Sequence, residues 1–192
     1  MTEAPAVRGL ARSLRRLPDR LLHPLRRRAT LRRLARKGPP GRLLFVCHGN
    51  ICRSPYAAAA LARRLPPPFR ERVVIDSAGF VGPGRPAPQN AVAVAAYRGI
   101  DLSTHRSKLV ALSDGAGAEL VVVMEPRQGR ALRAVFGRSS RNIVVLGDLD
   151  PLPVATRAIA DPVDQELVAF EESYARIDRC LQELVGALFP HR

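Results

Sequence analysis

Four short apolar runs, LLFVC at 43–47, RVVID at 72–76, ELVVVM at 119–124 and NIVVLG at 142–147, recur along the chain with helical patterns between them. Runs apolar at nearly every position, rather than at alternate ones, suit strands buried on both faces. With helices separating them, the arrangement that buries all four is a parallel sheet flanked by helices, a doubly wound α/β fold in a single domain. The helices between the runs have recognisable ends. Pro55 lies in the first turn of an Ala-rich helix over Ser54 to Leu65, where its missing N–H costs nothing, and PPP at 66–68 ends it. A Gly/Pro-rich loop over 79–88 precedes a helix that runs to about Arg98 and is closed by Gly99. Another helix starts near Pro126. A loop over about 148–163 leads to a last helix ending near Leu188, with Leu167, Phe170, Tyr174, Ile177, Leu181, Leu184 and Leu188 on one face.

The 192 residues suffice for one domain and an appendage, and a chain 46% hydrophobic but only 5% aromatic must build an aliphatic core. The charge identifies the appendage. Of the 31 basic and 17 acidic residues, 13 and 2 fall in residues 1–42, so that segment carries +11 of the net +14 and the remainder only +3. Residues 1–41 therefore read as an Arg-rich arm, partly helical or disordered, and 42–192 as the domain proper. In the arm, Leu10, Leu14, Leu17 and Leu21 share a helical face that Pro18 and Pro24 interrupt, and KGPPG at 37–41 reads as a linker. Such an arm suits an anionic membrane surface or an acidic partner, unless it is merely solvated. A nucleic-acid role is disfavoured because no aromatic residues interleave its arginines. No charged n-region followed by an apolar h-region opens the chain, and its apolar stretches fall far short of the roughly 18 residues of a membrane span. The expected location is the cytoplasm, with the arm allowing contact with a membrane from outside.

Two of only three cysteines, Cys47 and Cys52, fall within VCHGNICRSP at 46–55. A metal clip, a disulfide or an oxyanion-binding loop would each explain the pairing, and the context favours the last. Cys47 ends a strand, Arg53 opens a helix, and Gly49 and Asn50 between them tolerate positive φ. A loop so curled aims successive backbone N–H groups, from His48, Gly49, Asn50, Ile51 and Cys52, into one concavity, and the helix adds its positive end. Arg53 supplies a fixed fork for two phosphate oxygens. The positive field favours the thiolate of Cys47, which Ser54 can hydrogen-bond when it leaves. Thiolate, nest and guanidinium describe nucleophilic attack on phosphorus, with no metal or other cofactor required.

This stretch closely resembles the phosphate loop of the low-molecular-weight protein tyrosine phosphatases. The likeness continues in DSAG at 76–79, GIDLSTHRS at 99–107, VVVMEP at 121–126 and DP at 161–162, and covers about residues 42 to 189. It implies that Cys47 is the nucleophile forming a phosphocysteine, Arg53 the transition-state clamp and Asp161 the general acid, then base, on a phosphorylated protein or a small phosphomonoester. Asn50, Ser77 and His105 match residues that brace the loop. Cys52 matches a cysteine that captures the oxidised nucleophile as a reversible disulfide, whereas Cys180 reads as structural. The chain departs from the pattern where aromatic residues usually flank the substrate ring: Val163 and Asp164 follow the Asp-Pro pair, and Phe80 is the only aromatic of the FVGPGRP loop. Arginine phosphatases of this fold usually carry Thr at the position of Ile51, so the isoleucine favours an aryl or alkyl ester. Arsenate reductases of this fold need two further cysteines after the third strand, and none lies between Cys52 and Cys180. The alternative from another class is a catalytically weak phosphate-binding adaptor targeted by its basic arm.

Overall fold

Strand β1 (Arg42–Cys47) occupies an interior position of a four-stranded sheet because its apolar residues are buried on both sides. The other strands are β2 (Val74–Gly79), β3 (Leu120–Val123) and β4 (Ile143–Val145), all parallel, in the order β2-β1-β3-β4. The structure is a computed structural model and describes residues 5–110 and 117–190, with side chains from Asp19 onward. The chain steps from β1 out to β2, then returns across β1 to β3. The carboxyl end of β1 therefore lies at the switch point, where such sheets leave a crevice.

Alternate residues of the strands feed two cores. Leu43, Phe45, Leu120, Val122 and Val144 face α2 (Arg53–Arg64), α3 (Gln89–Tyr97) and the long C-terminal helix α5 (Leu167–Leu188). Leu44, Val46, Val121, Val123 and Val145 form a smaller cluster with Leu132 of α4 (Pro126–Phe136). The helix ends follow local chemistry: Glu125 and Gln128 make a reciprocal capping box at the start of α4, and Gly137, with φ of 59°, closes it.

Second-strand boundaries differ from the expected 72–76. The strand starts at Val74 and runs through DSAG to Gly79, because pairing with β1 from Arg42 to Cys47 supplies ladder bonds that these short polar residues would not earn by propensity. The last helix buries its expected face from Phe170 to Leu188, but Leu167, at its first position, is 43% exposed. Among the described residues, no helix is long and apolar enough to cross a membrane.

Helix α1 (Pro5–Lys37) is continuous through Pro18 and Pro24, where the sequence placed interruptions. Each proline forfeits one hydrogen bond, at about 3 kcal/mol, and tertiary contacts offset that cost. Leu34 is buried in the larger core, His23 Nε2 donates to the Asp150 carbonyl at 2.9 Å, and Arg27 pairs with Glu183 of α5. The face proposed for Leu10, Leu14 and Leu17 lies outside the described side chains, and Leu21 is exposed. Leu34→Ala should therefore lower stability by about 2–4 kcal/mol in urea unfolding of the full chain. An unchanged midpoint would show that α1 contributes nothing to the core.

Candidate active site

Asn50 curls the loop between β1 and α2. Its φ of 52° puts it in the left-handed region, which asparagine tolerates better than most residues. Fully buried, it needs a partner for every polar group, and three segments provide them. Its side-chain NH2 donates to Ser54 Oγ and Ser77 Oγ, both at 2.9 Å. Its side-chain oxygen accepts the Lys108 N–H at 2.7 Å, and its carbonyl accepts from His105 Nε2 at 2.7 Å. Held so, Asn50 aims its own N–H at Cys47 Sγ, 3.2 Å away. Ser54 Oγ lies 3.0 Å from the same sulfur and accepts from Asn50, so its own proton has two acceptors within reach, Cys47 Sγ and, at 3.4 Å, the Ala78 carbonyl.

Gly49 was expected to share the positive φ, but within the loop that conformation belongs to Asn50. The glycine instead makes room: a Cβ there would fall 2.6 Å from the guanidinium of Arg85, which donates to the Gly49 carbonyl at 3.2 Å. Gly79, at the end of β2, is more constrained. A Cβ on it would lie 2.8 Å from both Asn50 N and His48 O, backbone atoms that cannot yield without moving the loop. Phe80 N donates to the same His48 carbonyl at 2.8 Å, so the end of β2 and the loop are laced together.

The guanidinium of Arg53 is only 1% exposed, and its charge is met by two carboxylates. One terminal nitrogen donates to Glu125 Oε1 at 2.9 Å and to the Ile159 carbonyl at 3.0 Å, and the other pairs with Asp161 Oδ2. Burial works against the charge of Glu125, yet the bonds from Arg127 and Arg53 prevail and hold its carboxyl below the usual carboxylate range. The segment bearing Asp161 is anchored on either side. Ile159 N donates to the Met124 carbonyl at 2.9 Å, and Ser173 of α5 donates to the Ala160 carbonyl at 3.2 Å.

The structure thus brings together Cys47, Asn50, Ser54, Ser77 and His105 around the sulfur, and Arg53 with Asp161 beside them. Ile51 and Cys52 are buried in the larger core, while His48 is exposed. Burial, reinforced by the negative charges of Asp161 and Cys47, pushes the Cys52 thiol far up, so it stays protonated. Cys180 is pushed up to about 12 by burial and by Asp150, which suits an inert packing residue. The two ring-facing candidates are set apart: Val163 packs, half-buried, against the larger core, and Phe80 against the smaller one on the opposite side of the sheet. Sequence reading attached no role to Glu125, Gly79 or Lys108. A carboxylate directly after β3 and a glycine at the end of β2 were the available signals, but only the fold puts them against the loop. Among the described residues, no group of three or more His, Cys, Asp or Glu side chains could hold a metal ion.

Because Gly79 meets backbone, Gly79→Ala should displace the loop and lower kcat/KM for p-nitrophenyl phosphate on the order of 10²-fold. Steady-state assays at equal folded fraction, checked by circular dichroism, would reveal this, and near-normal turnover would mean that the loop does not depend on that close approach.

The chain is similar to known proteins over this same region. The family model described as low molecular weight phosphotyrosine protein phosphatase matches residues 42–190. The probable low molecular weight protein-tyrosine-phosphatase EpsP of Ralstonia nicotianae is 37% identical over 138 residues, covering 71% of this chain and 88% of that protein. Among solved structures, the tyrosine phosphatase AmsI of Erwinia amylovora superposes with a TM-score of 0.68 at 28% identity, over 78% of this chain and 94% of its own. The YwlE arginine phosphatase of Geobacillus stearothermophilus matches with a TM-score of 0.65 at 28% identity, over 76% and 90%. A phosphate-loop cysteine at the switch point of a parallel sheet and a family match spanning nearly all of that sheet and its helices agree: this chain belongs to the low-molecular-weight protein tyrosine phosphatase family.

Proposed function

We propose that this protein hydrolyses phosphomonoesters, with protein phosphotyrosine as the substrate class, through a phosphocysteine on Cys47. The observation that carries the reading is the convergence on one sulfur of a main-chain N–H from a left-handed residue and the hydroxyl of Ser54, 3.0 Å away. These donors stabilise the sulfur as thiolate and again as leaving group. The incoming phosphoryl group takes the loop N–H groups and the fork of Arg53, competing with Asp161 for one guanidinium nitrogen. Displaced from that pairing, the Asp161 carboxyl is available to the ester oxygen.

In the first step the Cys47 sulfur forms a bond to phosphorus as the phosphorus–ester oxygen bond breaks, and Asp161 gives its proton to the departing oxygen. In the second, Asp161 takes a proton from water, whose oxygen attacks phosphorus and expels the Cys47 thiolate. Inorganic phosphate leaves. Cys52, protonated and buried next to the nucleophile in the loop, serves as the resolving thiol once Cys47 has been oxidised. Residues 1–41 act as the address of the catalytic domain at 42–192, toward an anionic membrane surface or an acidic partner.

Metal-free hydrolysis of p-nitrophenyl phosphate in reductant should be abolished by Cys47→Ser. Asp161→Asn should lower it by roughly 10²-fold. The loss in the aspartate variant should be larger on phenyl phosphate, whose more basic leaving oxygen needs the proton more. No turnover by the folded wild type would sink the enzyme reading and leave a phosphate-binding module. Ile51 addresses the choice between tyrosine and arginine, because its 9% exposed apolar side chain offers no hydrogen bond to a guanidinium. Ile51→Thr should gain phosphoarginine hydrolysis, and efficient phosphoarginine turnover by the unmutated chain would overturn the ester assignment.

A further inference from the structure

Where α1 lies against the domain, a cleft of about 560 Å³ opens between it and α4. Its lining is strongly basic: Arg26 and Arg33 from α1, Arg130 and Arg133 from α4, and Arg157, against the single carboxylate of Asp148. The spacings explain the convergence. Residues seven apart on α1 and three apart on α4 each share a helix face, so two helices turn two guanidinium groups apiece toward the same space. The family match begins at residue 42, so the wall formed by α1 lies outside the region shared with the phosphatase family.

The five cations differ in how far they are already satisfied. Arg157 makes two bonds of 2.8 Å to Asp148, which uses up the carboxylate of the cleft. Arg33 spends its terminal nitrogens on the carbonyls of Ser140 and Ile143, at 3.1 and 3.0 Å. Arg26 gives one nitrogen to Asp19 at 2.6 Å. Arg130 and Arg133 are exposed and have no hydrogen-bond or ion-pair partner among the described residues. Two whole guanidinium forks and part of a third therefore face a concavity with no unspent negative charge.

We infer that this cleft is a binding site for a small anion bearing two or more linked phosphoryl groups. Guanidinium forks take phosphoryl oxygens two at a time, and a linked chain of them can bridge α1 and α4 where a single phosphate would reach one wall. The volume falls within the ordinary range for small-molecule sites, roughly 300–1,000 Å³. No aromatic side chain lines the cleft among the described residues, so nothing there stacks on a base, and the phosphate chain is what is read. The site is separate from the phosphate loop and does not rest on the catalytic reading.

Calorimetric titration of tripolyphosphate into the full chain, with and without orthovanadate saturating the phosphate loop, tests the assignment. One binding event should persist under vanadate and weaken as salt rises. The double variant Arg130→Gln, Arg133→Gln should weaken it by roughly tenfold or more while leaving p-nitrophenyl phosphate hydrolysis unchanged. Heat that disappears under vanadate, or that the double variant leaves intact, would overturn the site. Adenosine triphosphate binding more than about tenfold tighter than tripolyphosphate would overturn phosphate-only recognition. Retention on phosphatidylserine vesicles that the double variant loses, with no tripolyphosphate heat, would assign the face to a membrane instead.

Discussion

A guanidinium taken out of water must be met by negative charge and hydrogen bonds, and Arg53 imposes that requirement on three groups from two separate parts of the chain. Glu125 meets it from the end of β3, the Ile159 carbonyl from the segment beyond β4, and Asp161 from two residues further on. Each partner is itself positioned by the fold. Glu125 caps α4, and the segment around Asp161 is tied to Met124 and to Ser173. The same buried cation thus fixes the clamp, its support and the carboxyl that becomes the acid in the proposed reaction. Asp161 is the more exposed of the two carboxylates, so in the proposed reaction it is the one a phosphoryl group displaces while Glu125 continues to hold the arginine.

Around the sulfur, strain and its compensation are equally local. A left-handed asparagine is costly unless its surroundings over-determine it, and here β2, α2 and the segment at 105–108 each contribute a bond. The result turns one main-chain N–H toward Cys47. The close approach of Gly79 to Asn50 and His48 shows why the second strand runs on through DSAG: the end of β2 forms one side of the loop.

The basic extension shows where charge is an incomplete guide. Its arginines read as a tail because they dominate the sequence there, yet Leu34 and His23 on the same helix are buried against the domain. A helix can bury one stripe and keep a basic face, and composition averages over both. Proline misled for a related reason: its cost of a few kcal/mol is local, whereas the burial that offsets it comes from α5 and the segment near Asp150, far away in sequence.

The sequence by itself determined the four apolar runs and their parallel pairing, the helix ends marked by Pro55 and Gly99, and the phosphate loop, because strand burial, capping and left-handed turns are written in residues close together along the chain. Cys47, Asn50, Arg53 and Ser54 were legible for that reason. Only the tertiary structure decided that Glu125 supports Arg53, that Gly79 abuts the loop, that Phe80 packs on the opposite side of the sheet, and that α1 and α4 enclose a cleft of arginines. Those relations join residues 29 to more than 100 positions apart, and no local propensity encodes which of them the sheet order will bring into contact.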